Sequence, residues 1–126
     1  MKYLVIIIFC FSFLTSCKKD PVNTPSPTTT TTTTTSTIYK VKYVVKSLKS
    51  NIHYYNEYGG VSERINISNW DTTLNIESKK LSYLTVFGTG DILAEIYVND
   101  KIQGKATSLG ATEKQPGTAT ASYFLP

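Results

Sequence analysis

Few side chains in this sequence have the types and spacings that chemistry at a site requires. One histidine, His53, stands beside Tyr54 and Tyr55 in an alternating stretch. A general base needs a nucleophile or an orienting acid within reach, and a lone histidine in such a stretch reads first as a half-exposed strand residue. Asp91, Glu95 and Asp100 gather around one expected hairpin, but their spacing is not that of a calcium loop. No Gly-x-Ser-x-Gly elbow, phosphate-cradling glycine loop or His-Glu-x-x-His helix occurs. The reading is therefore of a protein that is not an enzyme, with no catalytic residue, no cofactor and no metal.

What remains for function is surface. Tyr54, Tyr55, Tyr58 and Trp70 form the densest aromatic group, and rings near a turn can stack on sugars or on partner side chains. In a small all-β domain alternate rings also fill the core, so about half of this group is expected inside. Lys40, Lys42, Lys46 and Lys49 make a basic row, yet from residue 38 onward ten basic side chains face eight acidic ones. That balance is too even for nucleic-acid binding. Asp71-Thr72-Thr73 resembles the short O-glycosylation signal of Bacteroidetes, with Thr72 as the acceptor on an expected corner beside Trp70.

A further reactive group lies upstream. Lys2 precedes an apolar block from Tyr3 to Leu14, about a dozen residues where a spanning helix needs about 20. Leu14-Thr15-Ser16-Cys17 resembles the bacterial lipobox, in which cleavage falls just before the cysteine. The resemblance implies that residues 1–16 are a signal peptide and that Cys17 becomes the lipidated first residue, attaching the chain to a membrane; an ordinary secretory signal is the plainer alternative. One acyl chain binds marginally and two or three hold firmly, at about 0.8 kcal/mol per buried methylene. Cys17-Lys18-Lys19-Asp20 is similar to the sorting signal of Bacteroidetes lipoproteins, which implies the outer membrane of a Gram-negative bacterium, with the domain displayed at the surface or, failing that, in the periplasm.

Residues 17–37 are rich in proline and threonine, with an unbroken threonine tract from Thr28 to Thr35. They lack apolar period and read as a disordered tether. Drawn out, about 20 residues span about 65 Å. Residues 38–126 are enough for one small domain, and both cysteines lie upstream of it, so no disulfide constrains its unfolded chain.

The elements that must position any site there have period two. Tyr39, Val41, Tyr43 and Val45 alternate with Lys40, Lys42, Val44 and Lys46, one face inward and a lysine row outward. Further strands are expected from Ile52 to Asn56, Val61 to Ser68 (closed by Trp70), Thr73 to Glu77, Leu81 to Phe87, Ile92 to Val98, Ile102 to Thr107 and Thr118 to Phe124. Val61, Ile65 and Ile67 are expected on a core face with Glu63 as its exception. Gly88-Thr89-Gly90 is expected to reverse the chain and Asn99-Asp100 to form a hairpin. The sum is an all-β domain, a single antiparallel immunoglobulin-like β-sandwich of about seven strands, with a small barrel as the alternative.

With the turns placed, Tyr39 and Val41, Ile52 and Tyr54, Asn56 and Gly59, Trp70, and Ile96, Val98, Asn99, Asp100 and Lys101 form a pattern that resembles the soluble domain of the MmpS family, membrane-tethered accessory proteins of mycobacterial exporters. The resemblance implies the sandwich and a role beside a transporter. Two departures stand out: this chain lacks the cysteine pair of that domain, and Cys17 stands where the family has a transmembrane helix. The expected function is a membrane-anchored cell-envelope lipoprotein with a non-catalytic interaction module for an envelope protein or polysaccharide. An MmpS-like transporter accessory and a carbohydrate-binding surface module are the alternatives.

Overall fold

The computed structural model describes residues 35–126. The expected signal peptide, Cys17 and all but the end of the expected tether lie outside the described residues. The described chain is all β, in seven antiparallel strands: β1 (Ile38–Lys46), β2 (Lys49–Tyr55), β3 (Val61–Ile67), β4 (Trp70–Glu77), β5 (Leu81–Val98), β6 (Lys101–Ala111) and β7 (Gly117–Phe124).

The architecture follows from β5, which is long enough to serve two layers. Its second half pairs with β1 and β6, and β1 pairs in turn with β4. Its first half pairs with β2 and β7, and β2 pairs with β3. One layer therefore runs β4-β1-β5-β6 and the other β3-β2-β5-β7. Since β1 and β2 both run antiparallel to β5 and are separated only by Ser47 and Leu48, they behave as one long strand bent in the middle. The same holds for β3 with β4 and for β6 with β7. The domain is a sheet of four long strands, in spatial order β3/β4, β1/β2, β5, β6/β7, folded across its waist so that its two halves face each other. The layers touch along β6 and β7, which gives the sheet its half-barrel curl.

The fold line sets one correction. Gly88-Thr89-Gly90 does not reverse the chain: β5 runs through it in one direction. Gly90 sits at φ +81°, and a Cβ at Gly88 would stand 2.3 Å from the Lys49 carbonyl oxygen, so the bend needs glycine for conformation at one position and for space at the other. The chain does reverse at Asn99 and Asp100, both at positive φ. Val98 faces Lys101 across them, the pattern of a two-residue type I′ hairpin.

Between the layers lies one core. Val41, Tyr43 and Val45 from β1, Ile52 and Tyr54 from β2, Ile76 from β4, Leu84, Val86, Ile92 and Ile96 from β5 and Ala119 and Ala121 from β7 are all buried. The inward parity expected for β1 holds at Val41, Tyr43 and Val45, while Tyr39 at the strand start is half-buried. The Tyr43 hydroxyl donates to the Tyr55 carbonyl at 3.0 Å, joining the layers through a polar atom that burial would otherwise leave unpaired. Leu125 closes the far end. Its side chain is buried, its N–H donates to the Lys80 carbonyl, and its carbonyl accepts from Lys79 N–H, both at 2.9 Å.

Two further expectations are corrected. The turn after β3 is Ser68-Asn69, and Trp70 opens β4 rather than closing β3. β3 is an edge strand with Val61 and Ile65 exposed and Ile67 half-buried. Its supposed core face is mostly solvent-facing because the register sets Val61 opposite Tyr55 and Glu63 opposite His53, both outward, while Ser62 and Arg64 lie opposite the core residues Tyr54 and Ile52.

Candidate binding surface

Each layer has an outer face, and the two differ in chemistry. On β4-β1-β5-β6 the outward positions are charged and pair among themselves. Lys40 Nζ stands 3.2 Å from Asp100 Oδ1, Lys42 Nζ 3.3 Å from Asp71 Oδ2, and Lys105 Nζ 3.3 Å from Glu95 Oε1. Glu95 is largely buried at 8% exposure, and its other oxygen accepts from the Tyr97 hydroxyl at 3.0 Å. That hydrogen bond raises the Tyr97 pKa, with desolvation adding to it. Of the basic row seen in the sequence, Lys40 and Lys42 are thus paired with acids from the β5–β6 turn and β4, while Lys49 belongs to β2 of the other layer.

The outer face of β3-β2-β5-β7 is built from rings and hydroxyls instead. Parity along β2 turns His53 and Tyr55 outward, and parity along β5 turns Tyr83 and Phe87 outward, because Ile52, Tyr54, Leu84 and Val86 occupy the core. The strand pairing then sets ring beside ring. Tyr55 and Tyr83 lie 5.4 Å apart between centroids, and His53 and Phe87 lie 5.9 Å apart, edge to face. Phe87 is 44% exposed, and Phe124 at the end of β7 is 59% exposed opposite Leu81.

Between the Tyr55–Tyr83 pair and Phe87 runs a polar band that includes His53. His53 Nε2 meets Glu63 Oε1 at 2.9 Å, and the Thr85 hydroxyl bonds the Tyr83 hydroxyl at 2.9 Å and the Thr120 hydroxyl of β7. Thr118, Thr120 and Ser122 expose their side chains along the β7 edge of this band. In the β2–β3 pairing His53 faces Glu63 directly, so the sheet itself forms that pair.

The four rings singled out in the sequence do not form one patch. Tyr54 is buried, packed 5.6 Å from Tyr43 and 4.9 Å from the half-buried Trp70. Tyr55 is on the outer face described above, and Tyr58 is 85% exposed on the Asn56–Gly60 turn. Thr72 is not on a corner: it lies within β4, opposite Tyr43 and half-buried, while Thr73 points outward. The rings that sequence reasoning missed are Tyr83, Phe87 and Phe124. One signal could have found them: the apolar positions Leu84 and Val86 keep the same parity, across Gly88 and Gly90, as Ile92, Ala94, Ile96 and Val98, as one continuous strand requires.

Among the described residues no three His, Cys, Asp or Glu side chains gather as metal ligands. Asp91, Glu95 and Asp100 are each engaged apart, Asp91 with the Gly110 N–H at 3.0 Å. Two shallow depressions, of about 510 and 410 Å³, are lined around Lys42, Trp70 and Asp71 and around Ile38, Tyr58 and Glu77. Neither includes the ring-bearing face. No protein-family model matches this sequence, and no curated protein matches it.

Proposed function

We propose that this chain is a membrane-anchored cell-envelope lipoprotein whose folded domain works by contact rather than by catalysis. Lipidation at Cys17 holds it to the outer membrane of a Gram-negative bacterium, the proline- and threonine-rich stretch carries the domain clear of the head groups, and the partner is an envelope protein or polysaccharide. Nucleic acid is no part of this reading. The observation that carries the contact role is the contrast between the two outer faces. One spends its charges on itself; the other leaves Phe87, Phe124, Tyr55 and Tyr83 toward solvent on a rigid sheet, and aromatic groups of this kind dominate recognition surfaces.

The anchor is tested by growing cells on labelled palmitate. The native chain should take up label and sediment with the envelope, and Cys17→Ala should do neither. A variant still labelled would remove the anchor from this reading. Protease added to intact cells then separates surface display, in which the domain is lost, from a periplasmic location, in which it survives.

A second reading, an MmpS-like accessory to an envelope transporter, draws support from where the resembling residues fall. Val41 and Ile52 with Tyr54 are core positions on the two halves of one bent strand, and Asn99-Asp100 forms the hairpin tip. Co-purification of a transporter subunit with the full chain would favour it.

A further inference from the structure

We infer that two copies of this chain join edge to edge through β4, antiparallel about Leu74, an inference that goes beyond the contact-module reading and does not depend on it. A sheet edge presents backbone N–H and C=O groups without partners, and proteins blunt such edges with lysine, proline, bulges or charges set on the core side. The other edges of this domain are blunted. β3 sets Arg64 opposite the core residue Ile52, and its pairing with β2 slips between Ser50 and Ile52. β6 carries Lys101 and Lys105 and two register shifts against β5, and β7 lies against β6. β4 has none of these devices. Among the described residues it pairs with β1 alone, in one unbroken register from Trp70 to Glu77, and it contains no lysine, arginine, proline or glycine.

The order of side chains along this edge selects a second copy as the occupant. From Asp71 to Glu77 the strand reads acid, β-branched, polar, Leu74, polar, β-branched, acid, the same pattern in either direction. A two-fold interface requires that kind of self-complementarity, and strand addition supplies the main-chain hydrogen bonds. With Leu74 on the axis, Thr72 meets Ile76 of the other copy, Thr73 meets Asn75, and Leu74 meets itself. Thr72 and Leu74 are half-buried on the core side, so each copy covers what the other leaves open. Asp71 meets Glu77 at both ends. Lys42 and Lys80 already hold these acids at 3.3 and 3.0 Å, so two ion pairs meet there rather than two bare carboxylates. An unrelated strand would have to reproduce this order, whereas a second copy carries it necessarily.

The test is sedimentation equilibrium of the full chain in density-matched non-ionic detergent. One strand pair is a small interface, so a monomer–dimer equilibrium is expected with a dissociation constant of about 10 to 100 µM. Leu74→Lys sets two lysines face to face on the axis and should weaken the dimer about ten-fold or more, while Thr107→Lys, on the outward side of β6, should leave it unchanged. Thermal transitions report folding; should Leu74→Lys fail to fold, Thr73→Lys at an exposed position carries the same expectation. Thr73→Cys tests the register, because in this pairing the two substituted positions lie about 8 Å apart on the diagonal. A short bis-maleimide should link that variant into dimers well above the level given by the native chain or by Thr107→Cys. A monomer at every concentration, a dimer indifferent to both lysine substitutions on β4, or crosslinking at position 73 no greater than at position 107 would overturn the inference.

Discussion

Tyr43 shows how one side chain is committed to the fold rather than to a site. It is wholly buried, its ring packs on Tyr54, and its hydroxyl crosses between the layers to the Tyr55 carbonyl. Removing that hydroxyl in Tyr43→Phe should cost about 1 kcal/mol at neutral pH, read by urea unfolding. Burial also raises the pKa of this phenol. In the unfolded chain it ionises near about pH 10, and in the folded chain it keeps its proton to higher pH. Its contribution is therefore complete below the unfolded value and is lost as pH rises through the folded one. Above about pH 10 the native protein should lose stability more steeply than Tyr43→Phe, so the gap between them should narrow. His53 illustrates the opposite commitment. The sequence shows a lone histidine on a strand, and the structure pairs it with Glu63 in the open, where the sheet register and not a pocket holds it.

At the scale of elements, the bend in β5 decides the architecture. Gly88→Ala would drive its Cβ into the Lys49 carbonyl oxygen, a backbone atom with nowhere to go, and should destabilise by about 3 kcal/mol. Gly90→Ala meets the side chain of Leu48, which is 74% exposed and can swing aside, so the remaining cost is the positive φ, about 1 kcal/mol. Guanidinium unfolding of the two variants should rank them in that order; equal costs would mean that the bend does not depend on close approach at Gly88. The β5–β6 hairpin offers a gain. Asp100 holds φ 65° without being glycine, and its ion pair with Lys40 is exposed on both sides and contributes little. Asp100→Gly should raise stability by about 0.5 kcal/mol, whereas Asn99 should be left alone because its Oδ1 accepts from the Lys40 N–H.

For the whole molecule, the folded sheet must be shut at the end opposite its waist, and Leu125 does this. Leu125 plugs the core and ties to the Lys79-Lys80 corner through two backbone hydrogen bonds. Leu125→Ala should cost about 3 kcal/mol, a large share of the stability of a small domain whose sequence supplies no disulfide. A thermal midpoint unchanged in that variant would mean that the two layers hold together without this end.

The sequence by itself determined the class of structure: strands of period two, the inward set Val41, Tyr43 and Val45, and the Asn99-Asp100 hairpin. These follow from local rules, the alternation of side chains and the tolerance of particular residues for positive φ. What only the tertiary structure decided was which face each ring serves and where the chain truly turns. Gly88-Thr89-Gly90 is compatible with a reversal or with a bend, and the choice falls to the bend because both halves of β5 find partners on each side. Tyr54 and Tyr55 differ by one position, so pairing register sends one into the core beside Trp70 and the other to the surface beside Tyr83. No local property of either tyrosine contains that difference, since it is made by the strands packed around them.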